Sequence, residues 1–115
     1  MPFILVVEDD PVVLRLCQTV LERQGFRVLA AADATEALGF SLPAAGLDLA
    51  LVDIMLPGRS GTQLVERLRS DGMTAPVICM SGFPPCDLPN LSCAAFLPKP
   101  FTPNQLLSLV RGLIQ

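Results

Sequence analysis

Short, wholly apolar runs alternate with amphipathic stretches along this chain. Residues 3 to 7, Phe3-Ile4-Leu5-Val6-Val7, are continuously apolar, as in a strand covered on both faces. Asp10 then reads as a helix cap with Pro11 in the first helical position. Val13, Leu16, Cys17 and Val20 recur at helical spacing, and Gly25 ends that helix. Phe26 to Ala31 predicts a second strand. Asp33, with Glu36 three residues on, forms a capping-box pattern before a helix bearing Ala37, Leu38 and Ser41 on one side. Pro43 to Gly46 reads as a loop, and Leu47 to Val52 as a third strand.

The turn-rich Leu56-Pro57-Gly58-Arg59-Ser60-Gly61 precedes a helix with Leu64, Val65 and Leu68 inward, closed by Gly72. Pro76 to Met80 predicts a fourth strand and Ala94 to Leu97 a fifth. Thr102-Pro103-Asn104-Gln105 is a strong helix start. Leu106, Leu107, Val110, Leu113 and Ile114 give the last helix its apolar face. Alternating strands and helices imply right-handed crossovers and a parallel sheet covered on both faces. Five such units in 115 residues predict a flavodoxin-like, doubly wound five-stranded sheet of order 2-1-3-4-5, in one domain spanning residues 1–115. One unit departs from the rhythm. Between strands four and five, Pro84, Pro85 and Pro89 oppose a regular helix, so the fourth helix is expected to be shortened or irregular.

Three strands stop at residues suited to phosphate chemistry. The first ends at Glu8-Asp9-Asp10, the third at Asp53, and the fifth at Lys99, the sole lysine. In the expected strand order the first and third strands are neighbours, which sets Glu8 and Asp9 beside Asp53. Ligands gather beyond the carboxyl ends of such strands. Clustered carboxylates repel unless a cation joins them. All-oxygen ligands favour Mg²⁺, which shares coordination with phosphate. A carboxylate beside Mg²⁺ and an ammonium can act as a nucleophile towards phosphorus. Taken singly, each residue also has an ordinary structural explanation, such as a helix-dipole partner, a turn former or a solvated charge.

Composition narrows the alternatives. Apolar residues make up 51% of the chain and mean hydropathy is +0.55, so a buried core is expected and disorder is not. The net charge is -3 with no basic stripe, which disfavours direct nucleic-acid binding. With no histidine, His-based triads and His-ligated zinc are excluded. The four cysteines form no C-x-x-C pair. Cys17 and Cys79 fit core positions, and Cys86 and Cys93 flank the proline-rich segment, where they can in principle pair. No secretory signal or membrane span is read, so a cytoplasmic location without membrane insertion is expected.

Four blocks carry a family resemblance: Ile4-Leu5-Val6-Val7-Glu8-Asp9-Asp10, Leu51-Val52-Asp53-Ile54-Met55-Leu56-Pro57-Gly58, Ile78-Cys79-Met80-Ser81-Gly82 and Phe96-Leu97-Pro98-Lys99-Pro100-Phe101. Together they resemble a response-regulator receiver domain of two-component signalling. The phrases Met80-Ser81-Gly82-Phe83 and Phe96 to Thr102 resemble receivers of hybrid histidine kinases. The resemblance implies that Asp53 accepts a phosphoryl group from a histidine kinase or phosphotransfer protein. It implies Mg²⁺ held by Asp9, by Asp53, by Glu8 through water and by the Met55 backbone carbonyl. Ser81 and Lys99 would bind the phosphoryl group, Phe96 would be an aromatic switch, and the Lys99-Pro100 peptide would be cis. Such a domain catalyses only its own phosphorylation and dephosphorylation.

Some features depart from the family pattern. Ser81 and Lys99 are 18 positions apart, shorter than usual, with the missing length in the proline-rich segment. Phe96 lacks the hydroxyl of the commoner tyrosine. Met55 and Phe83 are apolar and cannot orient an attacking water, which predicts a long-lived phosphoryl-aspartate. The chain could be a stand-alone regulator or part of a larger protein. Two other functions remain open here. A haloacid-dehalogenase-like phosphatase uses similar groups, but Met55 stands where that family has a second aspartate. A protein-interaction module that no longer cycles phosphate is the other.

Overall fold

The computed structural model describes residues 2–39, 46–54, 61–82 and 93–114. Five strands, β1 (Phe3–Val7), β2 (Arg27–Ala31), β3 (Leu49–Asp53), β4 (Val77–Ser81) and β5 (Ala95–Pro98), form one sheet. Its order is β2-β1-β3-β4-β5 and every pairing is parallel. This is the doubly wound arrangement expected from the alternation. The described helices are α1 (Pro11–Arg23), α2 (Ala34–Gly39), α3 (Gly61–Ser70) and α4 (Pro103–Ile114). The expected irregular helix lies in residues 83–92, outside the described residues, as do Ser41 and Met55.

The period-two alternation of the strands sorts the core into two layers. Leu5, Val7, Val52 and Cys79 face α2 and α3, packing with Ala37 and Leu64. Ile4, Val6, Leu51 and Met80 face α1 and α4, packing with Leu21 and Leu106. All residues of β3 and β4 are buried, as both-face coverage requires.

Helix boundaries follow the capping chemistry. Asp10 Oδ1 accepts from Val12 N at 2.9 Å and caps α1. Asp33 Oδ1 accepts from Glu36 N at 2.7 Å, while Glu36 Oε1 reaches back to Ala32 N at 2.9 Å. Thr102 Oγ1 accepts from Gln105 N at 3.2 Å, and Gln105 Oε1 accepts from Thr102 N at 2.8 Å, a reciprocal box. Gly25, at φ 90°, turns the chain from α1 towards β2 in a conformation that disfavours side chains.

Strand boundaries differ from the sequence pattern by a residue or two, and one helix position differs as well. β3 and β4 each run one residue further than the apolar run, taking in Asp53 and Ser81. Backbone pairing continues there because the amides still find partners, as in Ile54 N to Met80 O at 3.1 Å. Leu16 is 37% exposed, since the inward stripe of α1 centres on Cys17 and Leu21.

Candidate functional site

The sheet register builds the site. Val7 lies opposite Val52, so β1 and β3 end side by side and deliver Glu8 and Asp53 to one edge. Asp53 pairs with Met80, which sets Ser81 one step beyond. Ser81 in turn lies opposite Pro98, and Lys99 follows at once. The Lys99 amide donates to the Ser81 carbonyl at 2.8 Å. Remote segments thus converge without any long loop having to carry them.

Side-chain oxygens of Glu8, Asp9 and Asp53 lie within 4.8 Å of one another. Glu8 and Asp53 are buried, at 0% and 3% exposure, whereas Asp9 is exposed. Lys99 Nζ donates to Asp53 Oδ2 at 2.8 Å and also ion-pairs with Glu8 Oε1. Glu8 Oε2 accepts from the Asp10 amide at 3.1 Å. Glu8 Oε1 faces the ammonium but has no aligned hydrogen-bond donor.

Charge imbalance marks this cluster. Three carboxylates face one ammonium. Burial pushes the Glu8 carboxyl up to about 7, and the neighbouring Asp53 adds to the rise, against the opposing pull of Lys99 and the Asp10 amide. For Lys99, burial lowers the pKa, but Asp53 and Glu8 outweigh it and the net shift is upward. The ammonium therefore stays charged. An incompletely bonded buried oxygen within reach of two further carboxylates fits a hard divalent cation with oxygen ligands. Glu8, Asp9 and Asp53 are the residues able to hold it.

The other residues of interest fall around this centre. Ser81 is buried at the end of β4. The Lys99-Pro100 peptide is cis. Phe96 is half-buried, packed against the layer that contains Cys79. It also lines a groove of about 410 Å³ between β5 and α4, with Leu97, Gln105 and Leu109. Gly61 escaped notice in the sequence as anything but a turn former. A Cβ there would stand 2.5 Å from both the Asp53 carbonyl oxygen and Ile54 Cα. Its amide donates to Ile54 O at 3.0 Å, so α3 starts pressed against the backbone that carries Asp53.

Residues 4–111 match the family model of the response regulator receiver domain. The chain belongs to that family. A receiver is a signalling module of response regulators, not a member of a conventional enzyme family. The uncharacterized transcriptional regulatory protein YbdJ of Bacillus subtilis is 34% identical over 115 residues, covering 97% of this chain and 50% of YbdJ. The receiver therefore spans about half the length, or less, of the curated relatives it matches. Among solved structures, the response regulator TrrA of Thermotoga maritima, determined with Mg²⁺-BeF, is 28% identical with a TM-score of 0.84, covering 98% of this chain and 99% of TrrA. The receiver domain of the hybrid histidine kinase CckA is 35% identical with a TM-score of 0.83, covering 98% and 99%. Among the described residues of this receiver, no helix is long and apolar enough to cross a membrane.

Proposed function

We propose that Asp53 is the phosphoacceptor of this receiver and takes its phosphoryl group from a phosphohistidine on a histidine kinase or phosphotransfer protein. The observation that carries this reading is the Asp53 carboxylate at a strand end, with the Lys99 ammonium 2.8 Å away and two further carboxylates within 4.8 Å. One Asp53 oxygen attacks phosphorus. The bond from phosphorus to the donor imidazole breaks as the new P–O bond forms, and the imidazole takes a proton from water.

Lys99 meets the negative charge on the transferring oxygens, and its raised pKa keeps it cationic for that role. The Ser81 hydroxyl binds a phosphoryl oxygen, and Phe96 moves with it as the switch. Asp9 and Asp53, with Glu8 through water, would hold magnesium, joined by the Met55 carbonyl that the family resemblance implies, and the ion would supply charge neutralisation and phosphoryl positioning. The domain thereby catalyses its own phosphorylation, with one receiver unit across residues 1–115 acting in the cytoplasm. A receiver joined to a kinase and one joined to an output domain both agree with the relatives found.

Intact-mass measurement after treatment with acetyl phosphate and Mg²⁺ tests the assignment. One phosphoryl adduct is expected, absent in Asp53→Asn and absent when the metal is chelated. An equal adduct on the wild type and the variant would refute it.

A further inference from the structure

Asp10 is tied to the acidic cluster on one side and to α1 on the other. Its amide donates to Glu8 Oε2 at 3.1 Å. Its Oδ1 accepts from Val12 N at 2.9 Å, and its carbonyl accepts from Leu14 N at 2.9 Å, closing the first turn of α1. Its backbone has φ -77° and ψ 114°, the extended shape to which a residue before proline is confined. Pro11 and the cap together hold this backbone, and with it the amide aimed at Glu8.

Glu8 has a second anchor. Its own amide donates to the Ala31 carbonyl at 3.0 Å, at the end of β2. Its two carboxylate oxygens are then divided. Oε2 is held by the Asp10 amide, while the buried Oε1 faces Lys99 with no aligned hydrogen-bond donor. Asp9 lies between these two anchored residues. It is the exposed member of the three carboxylates whose oxygens lie within 4.8 Å of one another. An exposed side chain keeps its place most readily when the backbone on either side is fixed, and here Glu8 and Asp10 fix it.

We propose that Asp10 is a positioning residue for the metal: by capping α1 it keeps its amide on Glu8 and sets Glu8 and Asp9 for magnesium before the ion arrives. This rests on the reading that Glu8, Asp9 and Asp53 hold the ion. The role belongs to the capping oxygen and not to the negative charge. Without that oxygen the amide is freer to swing away from Glu8, and binding must then order the segment from Glu8 to Asp10 at an entropic cost. Groups that orient a metal's ligands without touching the ion typically change its affinity about 10- to 100-fold. Pro11 still restrains the backbone when the cap is lost, so the lower end of that range applies.

Calorimetric titration of the folded protein with MgCl₂, in enough KCl to screen a charge outside the cluster, tests the proposal. Asp10→Ala removes the capping oxygen and should weaken magnesium binding about tenfold. Asp10→Ser and Asp10→Asn keep a capping oxygen without the charge and should bind close to the wild-type affinity. Asp10→Glu keeps the charge on a side chain that caps poorly and should bind like Asp10→Ala. Thr102→Ala loses the cap of α4 instead, and should bind magnesium as the wild type does despite its lower stability. Affinity that follows charge, restored by Glu and lost with Ser and Asn, would overturn the proposal, as would Asp10→Ala binding as tightly as the wild type. A wild type that takes up no magnesium would overturn the metal reading and this proposal together, so the two failures are told apart.

Discussion

Raising the pH through neutrality should weaken the metal-free receiver, and the cause is Glu8. Its carboxyl has an ordinary pKa of 4.5 and is pushed to about 7 in the folded chain, first by burial and then by Asp53. The folded state therefore binds this proton more tightly than the unfolded state. That contribution is complete below pH 4.5, shrinks as pH rises, and is gone above about 7. At about 1.4 kcal/mol for each pH unit between the two values, it is worth about 3 kcal/mol. Urea denaturation in a chelator, repeated across this pH window, measures it. Glu8→Gln removes the titrating group, so the difference between variant and wild type isolates Glu8 from the other 10 acidic residues. Asp53→Asn should move the loss to lower pH, because Asp53 helps raise Glu8. Saturating Mg²⁺ should flatten the wild-type profile, since binding at a hundred times its Kd contributes about 2.7 kcal/mol. A wild-type profile parallel to that of Glu8→Gln would refute the reasoning.

Other perturbations test the framework around the site. Gly61→Ala drives a methyl into backbone 2.5 Å away, so about 1–3 kcal/mol of stability should be lost in denaturant titration, together with part of the phosphoryl adduct on Asp53. Lys99→Ala leaves two buried carboxylates facing each other without their ammonium, and should cost about 3–5 kcal/mol in chelator and less in Mg²⁺. Leu51→Ala opens a hole in the layer under α1 and α4 and should cost about 2–5 kcal/mol by urea unfolding, without shifting the pH profile. Thr102→Ala breaks the reciprocal cap of α4 and should cost about 1 kcal/mol, read as a lowered thermal midpoint.

Much of this was legible in the chain because strand ends and helix caps are local signals. Asp10, Asp33 and Thr102 announced three helices through side-chain oxygens that reach only a few residues. The apolar runs gave the strands, and the alternation gave their order. Once β1 and β3 are neighbours, the meeting of Glu8, Asp9 and Asp53 follows from register. What pattern alone could not supply was contact between side chains on different elements. Gly61 looks like any turn glycine until α3 is seen resting on Ile54. Cys93 flanks the proline-rich segment in sequence and packs against the core layer that contains Cys79, while Cys86 lies outside the described residues. Leu16 fits a helical stripe but sits at its solvent edge, because a period of 3.6 defines a face only to within a residue or so.

Lys99 is tethered twice. Its side chain grips Asp53, while its main-chain amide hangs from the Ser81 carbonyl. The acid on one strand and the hydroxyl residue on the next are thus bridged by one amino acid, with no relay through the packed interior. Whatever lures the ammonium away from Asp53 pulls on a residue already hooked to the neighbouring strand, so a local exchange of charge and a tug on the β4 tip become the same event.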